Sequence, residues 1–294
     1  MMADLWDAVQ ELSHWNNGRA VILRGANGIF CSGADMDFVR HRAVFSHEGG
    51  RRMSLFMSTT LAALRALPLT SVALVEKAAI GGGAELAGAT DFRVFTEDTI
   101  AQYVQATLSI IPGWGGVARL VALVGPTRAL ELLQSGRRLT AREGLQIGYV
   151  QHIIPKSQSQ PTSTTTTTIT SSTTSSEASK VPTSTTTAPE SLIPPKVKAP
   201  KPSPHQATGV DPALAACVAW LDSIVGGARR PDVVRAVKST VHAVAETALP
   251  IDGAPLQLDE IARFTPMWAT PAHRESIQEA MRAIQSKSKP KPNK

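Results

Sequence analysis

The sequence predicts an α/β fold in which parallel strands alternate with helices. Short β-rich apolar runs, such as Ala20–Leu23 and Thr70–Val75, are separated by helix-length stretches whose apolar residues recur every three to four positions. Each of these two runs also leads into a glycine-rich corner, a pattern typical of a parallel strand followed by a helix. With 294 residues, 43% of them hydrophobic, the chain is long enough to bury a sizeable core.

The predicted elements follow one another in a regular order. A first helix is expected over 3–15, because Leu5, Trp6, Val9 and Leu12 stand at helical spacing. The remaining elements of the first half are strand Ala20–Leu23, helix 50–67 ended by Pro68, strand Thr70–Val75, a short helix after Glu85, strands Phe92–Phe95 and Ile100–Val104, and helices Gly115–Val124 and Thr127–Gln134. Helical patterns return over Pro212–Val225, Asp232–Ala248, Leu256–Phe264 and Pro271–Ile284.

Composition separates a middle segment from the rest of the chain. Residues 156–206 are rich in Thr, Ser, Pro and Lys, and they hold too few apolar side chains to offset the entropy of ordering. We therefore predict a disordered insert between a core over 1–155 and a helical region over 207–286, with a basic flexible tail over 287–294. An O-glycosylated stalk would share this composition, but no export signal is visible at the N-terminus.

The positive charge of the chain belongs to these flexible segments. Of the net charge of +6, the tail contributes +4 and the insert +3, so the remainder carries −1. We therefore expect no nucleic-acid partner, and no apolar run is long enough to predict a membrane partner. The absence of a visible targeting signal predicts a cytoplasmic (cytosolic) protein in which Cys31 and Cys217 are reduced thiols. The seven histidines form no metal-binding motif, so no metal site is expected.

The run Ala79–Ala87 carries the most information about function. Its glycines, Gly81–Gly83, lie between a β-rich run and an alanine-rich helical run, and they let a ligand approach main-chain N–H groups with no Cβ in the way. At a helix N-terminus, unpaired N–H donors and the helix dipole favour a developing negative charge. The run therefore predicts half of an oxyanion hole. Its spacing is not that of a nucleotide-binding loop.

A second corner of the same kind lies upstream, in Phe30–Met36. It follows the apolar run Ala20–Leu23 across a turn that contains Gly25 and Gly28. Taken alone, each corner fits an ordinary strand-to-helix turn. Taken together, the two corners can each direct one N–H at a single oxyanion.

Four motifs in this order resemble those of the crotonase (enoyl-CoA hydratase/isomerase) superfamily. They are Phe30–Met36, Ala79–Ala87, Ile111–Gly116 and Gly136–Val150, and the resemblance covers residues 1–155. It implies a crotonase-type ββα spiral whose C-terminal helical region, 207–286, belongs to the same domain and mediates trimerisation. It also implies a homo-oligomer (a trimer or a dimer of trimers) and an acyl-CoA substrate, which carries coenzyme A itself, so that no separate cofactor is needed.

One departure from the family concerns the start of the sequence. Family members begin with a strand and a loop that carries an Asn-Ala-Leu/Phe motif and helps to form the CoA site, whereas this sequence starts at the helix that follows. The resemblance therefore implies that the first strand of the spiral is missing and that an edge is left unpaired. Such a chain is either a truncated or alternative product, or one whose CoA binding is impaired.

The resemblance assigns the site residues as well. It implies that the N–H groups of Ala34 and Gly82 bind the thioester oxygen and that Glu85 matches the first of two glutamates used by family hydratases. The second would fall at Gln105, which cannot accept a proton as a general base, and residues 105–111 contain no ionisable group. The further predicted substrate contacts are Gly33, Asp35, Gly81, Ile110, Ile111, Pro112 and Trp114.

These residues favour decarboxylation. When a substrate carries a carboxylate α to its thioester, the departing CO₂ leaves its electron pair behind, so an oxyanion hole and an apolar wall suffice. The motifs look most like the branch of the family that removes CO₂ from ethylmalonyl-CoA and, less well, from methylmalonyl-CoA, which is a metabolite-repair role. Glu85 would then hydrogen-bond the substrate or protonate the enolate, although it also fits a non-catalytic acid in the first turn of a helix.

Two other classes of function stay open. An enoyl-CoA hydratase or isomerase of fatty-acid oxidation would need an acid that the sequence does not locate. A non-catalytic, truncated crotonase subunit, which joins oligomers or binds RNA through its basic tails, would account for the missing first strand.

Overall fold

The computed structural model describes residues 1–35, 39, 45–156, 211–227, 229–248 and 254–288. The predicted disordered insert lies outside the described residues from residue 157 onward, and so does the basic tail from residue 289 onward.

A parallel sheet forms the base of the fold. Within the described residues it contains, in spatial order, β1 (Ala20–Arg24), β2 (Thr70–Val75), β4 (Phe92–Thr96) and β7 (His152–Ile154). All three pairings are parallel, and β1 lies at one edge. Every residue of β2 is buried, as expected for a parallel strand that is covered on both faces.

A smaller sheet is built beside the first. It consists of β3 (Ala78–Ile80), β5 (Ile100–Gln102) and β6 (Leu139–Thr140), in which β5 pairs parallel to β3 and antiparallel to β6. Cys31 forms an isolated parallel bridge with Ala79. This bridge brings the upstream glycine corner against the strand that leads into the downstream one.

The described helices agree with the expected order. They are α1 (Met2–Ser13), α2 (His47–Ala66), α3 (Gly82–Gly88), α4 (Gly116–Val124), α5 (Pro126–Ser135), α6 (Ala141–Gln146), α7 (Pro212–Val225), α8 (Pro231–Ala248), α9 (Ala254–Met267) and α10 (Pro271–Ser288). Several predicted boundaries are wrong by one to four residues, among them those of α3 and β5. Helix α3 begins at Gly82 and includes Glu85, and β5 ends at Gln102 because the chain then turns into a 3-10 helix over Gln105–Leu108.

The core divides into layers according to the alternation of side chains along β2. Ala73 and Val75 pack into a large cluster with residues of α1, α2 and α3. Val72 and Leu74 face the other way, into a cluster that contains Cys217 and Leu221 of α7. Because successive side chains of a strand point to opposite faces, this one strand joins the N-terminal core to the C-terminal helices.

A buried ionic cluster fastens α8 to the parallel sheet. The Asp91 carboxylate accepts hydrogen bonds from the Ser71 N–H (2.7 Å) and hydroxyl (2.8 Å), and it pairs with Lys238 Nζ (2.7 Å) and His242 Nε2 (2.9 Å). Burial alone would raise the pKa of Asp91, but the hydrogen bond with His242 and the charge of Lys238 hold it well below its usual range. The cluster therefore pairs an ionised carboxylate of the N-terminal half of the chain with side chains of the C-terminal half.

No helix among the described residues is long and apolar enough to cross a membrane. The His, Cys, Asp and Glu side chains of these same residues do not gather in groups of three or more that could hold a metal ion.

We predict that Asp91→Asn lowers the free energy of unfolding by about 3 kcal/mol, because it leaves the buried Lys238 ammonium without its counter-charge. The matched control is Asp98→Asn, which breaks the exposed pair with Lys156 and should cost less than about 1 kcal/mol. Chemical unfolding of both variants near neutral pH measures the difference. Equal losses would show that the Asp91 cluster does not hold α8 in place.

Candidate active site

The downstream corner presents an N–H group without an internal acceptor. Gly81 adopts φ +57, and its own N–H donates to the Gln102 carbonyl oxygen at 2.8 Å. Gly82 then starts α3, and among the described residues no acceptor takes its N–H. The half-buried Gly82 therefore offers the main-chain donor that the sequence predicts.

The two glycine corners lie against each other. The Cys31 N–H donates to the Ala78 carbonyl at 3.1 Å, and the Ile80 N–H donates back to the Cys31 carbonyl at 2.9 Å. At Gly83 a Cβ would come within 2.3 Å of the Cys31 carbonyl oxygen, so only glycine permits this approach. A Cβ on Gly33, which adopts φ +104, would stand 3.1 Å from the carbonyl oxygen of Ile80.

Ala34 and Asp35 directly follow this contact, and both residues are exposed. The Asp35 carbonyl accepts a hydrogen bond from the Val39 N–H at 2.9 Å. The structure thus places Ala34 next to Gly33, the residue that contacts the downstream corner.

The run Ile110–Trp114 covers the downstream corner. A Cβ on Gly82 would stand 2.4 Å from the Trp114 ring, so the buried indole lies directly over this glycine. Ile110 and Ile111 pack in one apolar cluster with Phe264 and Trp268 of the α9 segment and the turn after it. The apolar wall predicted from the sequence is therefore backed by the C-terminal helices.

Glu85 is held in a dry and fully hydrogen-bonded setting. Only 3% of its surface is exposed. Its Oε1 accepts from Gln105 Nε2 at 2.9 Å, and its Oε2 accepts from the N–H groups of Trp114 (2.8 Å) and Gly116 (3.1 Å). The carboxyl group thus reaches from α3 to the start of α4.

A second carboxyl group, which the sequence analysis missed, joins Glu85 at the same loop. Glu260 of α9 is buried and accepts the Gly115 N–H at 2.7 Å. The buried Arg119 guanidinium lies over Gly115 and donates to the Trp114 carbonyl at 2.6 Å. A signal was present in the sequence, because residue 260 stands four positions before Phe264, on the apolar stripe of the predicted helix.

Both carboxyl groups have pKa values that lie near neutral pH. Burial raises the pKa of Glu85 to about 7, against the hydrogen bond from Trp114 and the charge of Arg119. Burial and the charge of Glu85 together raise the pKa of Glu260 to about 8, against the hydrogen bond from Gly115 and the charge of Arg119. The two groups titrate as a pair, and at neutral pH the pair retains a proton that a reaction intermediate can take.

Gln105 occupies the place that the resemblance gives to a second hydratase glutamate. It is buried, and its amide nitrogen binds Glu85 as described above. Its Oε1 is buried with no hydrogen-bond partner. The corner therefore combines the Gly82 N–H, which no acceptor among the described residues takes, with an apolar wall, a buried carboxyl group and an uncharged amide. This arrangement is suited to stabilising an oxyanion and protonating a carbanion-like intermediate.

Comparison with known sequences identifies the protein family to which this fold and this candidate site belong. A sequence profile of the enoyl-CoA hydratase/isomerase family matches residues 1–186. The chain belongs to the enoyl-CoA hydratase/isomerase family, which confirms the resemblance noted in the sequence.

Several curated relatives of the chain within this family share one enzyme name. The chain is 46% identical over 160 residues to a protein of Danio rerio named ethylmalonyl-CoA decarboxylase, and 41% identical over 157 residues to proteins of that name from Rattus norvegicus and Mus musculus. These matches cover 53–54% of this chain and 48–52% of the relatives. The chain thus spans about half the length of the curated relatives it matches.

Solved structures confirm the predicted crotonase-type fold. An enoyl-CoA hydratase from Mycobacterium avium subsp. paratuberculosis superimposes with a TM-score of 0.64 at 18% identity, covering 94% of this chain and 86% of the other. One from Bacillus anthracis gives a TM-score of 0.59 at 23% identity, covering 99% and 87%. At these identities the likeness shows the fold alone.

The raised pKa values of Glu85 and Glu260 predict a pH-dependent stability. Because the folded state binds these protons more tightly than the unfolded state, their contribution is fully present below pH 4.5 and is lost as pH rises through about 7 and 8. We expect the free energy of unfolding, measured in urea from about pH 5 to about pH 8, to fall less in the double variant Glu85→Gln/Glu260→Gln than in the wild type.

The matched control for this comparison is Glu275→Gln/Glu279→Gln, which changes two exposed glutamates of α10 and should keep the wild-type slope. Other groups titrate in the same pH range. The result is therefore read from the difference between the double variant and the wild type in the slope of the free energy of unfolding against pH. Superimposable slopes for all three proteins would show that the buried pair does not take up protons on folding.

Proposed function

We propose that this chain acts as an acyl-CoA carboxy-lyase, which decarboxylates a short-chain 2-carboxyacyl-CoA: ethylmalonyl-CoA and, less well, methylmalonyl-CoA. The observation that carries the proposal is the combination, at one corner, of a buried Glu85 and a Gly82 N–H that has no acceptor among the described residues. The amide of Gln105 lies where a hydratase would hold its second glutamate. The names of the curated relatives support the same chemistry.

Charge would develop at the thioester oxygen during the reaction. In the proposal this oxygen accepts hydrogen bonds from the N–H groups of Ala34 and Gly82, and the neighbouring Gly33, Asp35 and Gly81 shape the two corners. Main-chain donors that are fixed in advance need no rearrangement as the enolate forms, which is why such groups lower the barrier.

The substrate carboxylate would lie against the apolar wall. Ile110, Ile111, Pro112 and Trp114 provide apolar surface, and they add no charged group that would stabilise the carboxylate before it leaves. The bond between the α-carbon and the carboxylate breaks, its electron pair passes into the enolate, and CO₂ departs. The α-carbon then takes a proton, which either the Glu85 O–H or water supplies, and the product from ethylmalonyl-CoA is butyryl-CoA.

One observation favours hydration or isomerisation as a second candidate. The acid that the sequence analysis could not locate has a counterpart in Glu260, which is buried beside Glu85. However, Glu260 comes from α9 and binds the Gly115 N–H, and Gln105, at the position that the resemblance gives to the second glutamate, cannot serve as a base. Decarboxylation needs neither a second carboxylic acid nor a second general base.

Assembly and cellular role complete the proposal. A row of exposed valines on α8, namely Val233, Val237, Val241 and Val244, offers an apolar face that supports a homo-oligomer such as a trimer or a dimer of trimers. A cytosolic metabolite-repair role, in which the protein removes unwanted carboxylated acyl-CoA, would follow from the substrate.

The direct test is to incubate the purified chain with ethylmalonyl-CoA and to follow butyryl-CoA, with crotonyl-CoA as the parallel substrate. We expect butyryl-CoA to form and hydration of crotonyl-CoA to be much slower, because the corner holds one glutamate and one glutamine. Robust hydration would replace the proposal with the hydratase alternative. No turnover of either substrate would favour a non-catalytic subunit.

We predict that Gly82→Ala reduces kcat for decarboxylation by at least about 10²-fold, the usual cost of losing one oxyanion donor. The new Cβ would stand 2.4 Å from the Trp114 ring, so the ring and the main chain that presents the N–H must move apart. Glu85→Gln keeps the shape of the side chain and should lose much less. Steady-state kinetics, with circular dichroism to verify folding, measure both; an equal loss in Glu85→Gln would mean that proton transfer by Glu85 is essential.

A further inference from the structure

The indole of Trp114 lies on the residue that supplies the main-chain donor of the downstream corner. A Cβ on Gly82 would strike the indole carbons Cη2 and Cζ3, which form the outer edge of the six-membered ring. Trp114 is 9% exposed and Gly82 is half-buried, so both residues keep some surface open to solvent. The surface next to the Gly82 N–H is therefore an aromatic edge that has no hydrogen-bonding atom.

The main chain around Trp114 is fixed by hydrogen bonds. The Trp114 N–H donates to Glu85 Oε2 at 2.8 Å, and the Trp114 carbonyl accepts from Arg119 Nη1 at 2.6 Å. One residue earlier, the Gly113 carbonyl accepts from two serine hydroxyl groups of α2. Because these anchors are main-chain groups, a substitution of the Trp114 side chain changes the surface beside Gly82 and keeps the hydrogen bonds of the loop.

The apolar wall near the corner has two parts with different backing. Trp114 packs in the main core cluster, which also contains Ala84 of α3. Ile110 and Ile111 pack in a separate cluster with Phe264 of α9. The wall thus offers two apolar surfaces, one attached to the N-terminal core and the other to the C-terminal helices.

The α-carbon of a 2-carboxyacyl-CoA carries two groups that need different surfaces. In the proposed reaction the bond to the carboxylate stands perpendicular to the thioester plane when it breaks, because its electron pair must enter the enolate. The alkyl group on the same carbon then lies near that plane, and so does a donor that binds the carbonyl oxygen. This geometry places the alkyl group beside Gly82 and the edge of Trp114, and it leaves Ile110 and Ile111 for the carboxylate.

We propose that Trp114 is a specificity-determining residue: its aromatic edge contacts the alkyl group of the substrate and limits that group to the length of an ethyl chain. This inference rests on the proposed function, because it takes the Gly82 N–H as a donor to the thioester oxygen. An ethyl group gains apolar contact with the edge that a methyl group lacks. A longer chain meets a ring that is packed in the main core cluster and has no room to retreat.

The test compares ethylmalonyl-CoA with butylmalonyl-CoA as substrates of the full chain. In Trp114→Phe the shorter ring loses the outer edge that covers Gly82. We therefore expect the ratio of kcat/KM for the butyl substrate to kcat/KM for the ethyl substrate to rise at least about 10-fold. If Trp114→Phe does not fold, as judged by circular dichroism, Trp114→Leu makes the same comparison.

The matched control is Trp220→Phe, the same change on α7. Trp220 stacks on His152 and packs with Val72 and Leu74, which face away from the main core cluster. This variant should leave the ratio unchanged. An unchanged ratio in a folded, active Trp114 variant overturns the inference, while turnover of ethylmalonyl-CoA by the wild type still supports the proposed function.

Binding of the two products, butyryl-CoA and hexanoyl-CoA, gives a readout that does not need turnover. Isothermal titration calorimetry should show that Trp114→Phe shifts the ratio of the two dissociation constants in favour of hexanoyl-CoA, and that Trp220→Phe does not. If the wild type decarboxylates neither substrate, the proposed function is overturned and this ratio decides the inference. A shifted ratio then supports Trp114 as the contact for the alkyl chain, and an unchanged ratio overturns that as well.

Discussion

The start of helix α4 is the constraint on which the rest of this site depends. The first N–H groups of any helix lack partners within the helix, and here they are buried, where each unpaired donor would cost about 1–3 kcal/mol. The chain supplies carboxylate oxygens from Glu85 and Glu260 to the run Trp114–Gly116. One polar requirement thus brings together α3, α4 and α9, three elements that are distant in sequence.

At positions 115 and 116, glycine is required because a Cβ would clash with neighbouring groups, and not only because glycine is flexible. A Cβ on Gly116 would stand 2.5 Å from the Glu85 carboxylate, and one on Gly115 would stand 3.0 Å from the Arg119 guanidinium, at a φ of +84. Any side chain there would push the charged groups off the loop. The glycine pair that ends the Ile111–Gly116 motif therefore lets the Arg119 guanidinium and the Glu85 carboxyl group approach, while Gly82 and Gly83 let neighbouring chain segments approach.

Much of this arrangement could be predicted from the sequence, because it is encoded locally. The strands, the helices and the two glycine corners come from short patterns, and the fold built from them is confirmed. Glu260 could not be placed in the same way, since its contact with Gly115 depends on how a helix 145 residues further along the chain docks. The same holds for Asp91, whose partners Lys238 and His242 lie far along the chain. Long-range polar contacts depend on packing, which periodicity does not report.

The same packing explains why glutamine is a fitting residue at position 105. A glutamate there would add a third buried carboxyl group beside Glu85 and Glu260, with the guanidinium of Arg119 as the nearby counter-charge. Glutamine keeps the length of the side chain and adds no charge. Its amide can also serve either form of Glu85: the nitrogen, 2.9 Å from Glu85 Oε1, donates to a carboxylate oxygen, and a half-turn of the amide would let Oε1 accept the O–H of the protonated acid. Glutamine at position 105 thus gives Glu85 a hydrogen-bond partner in both of its protonation states.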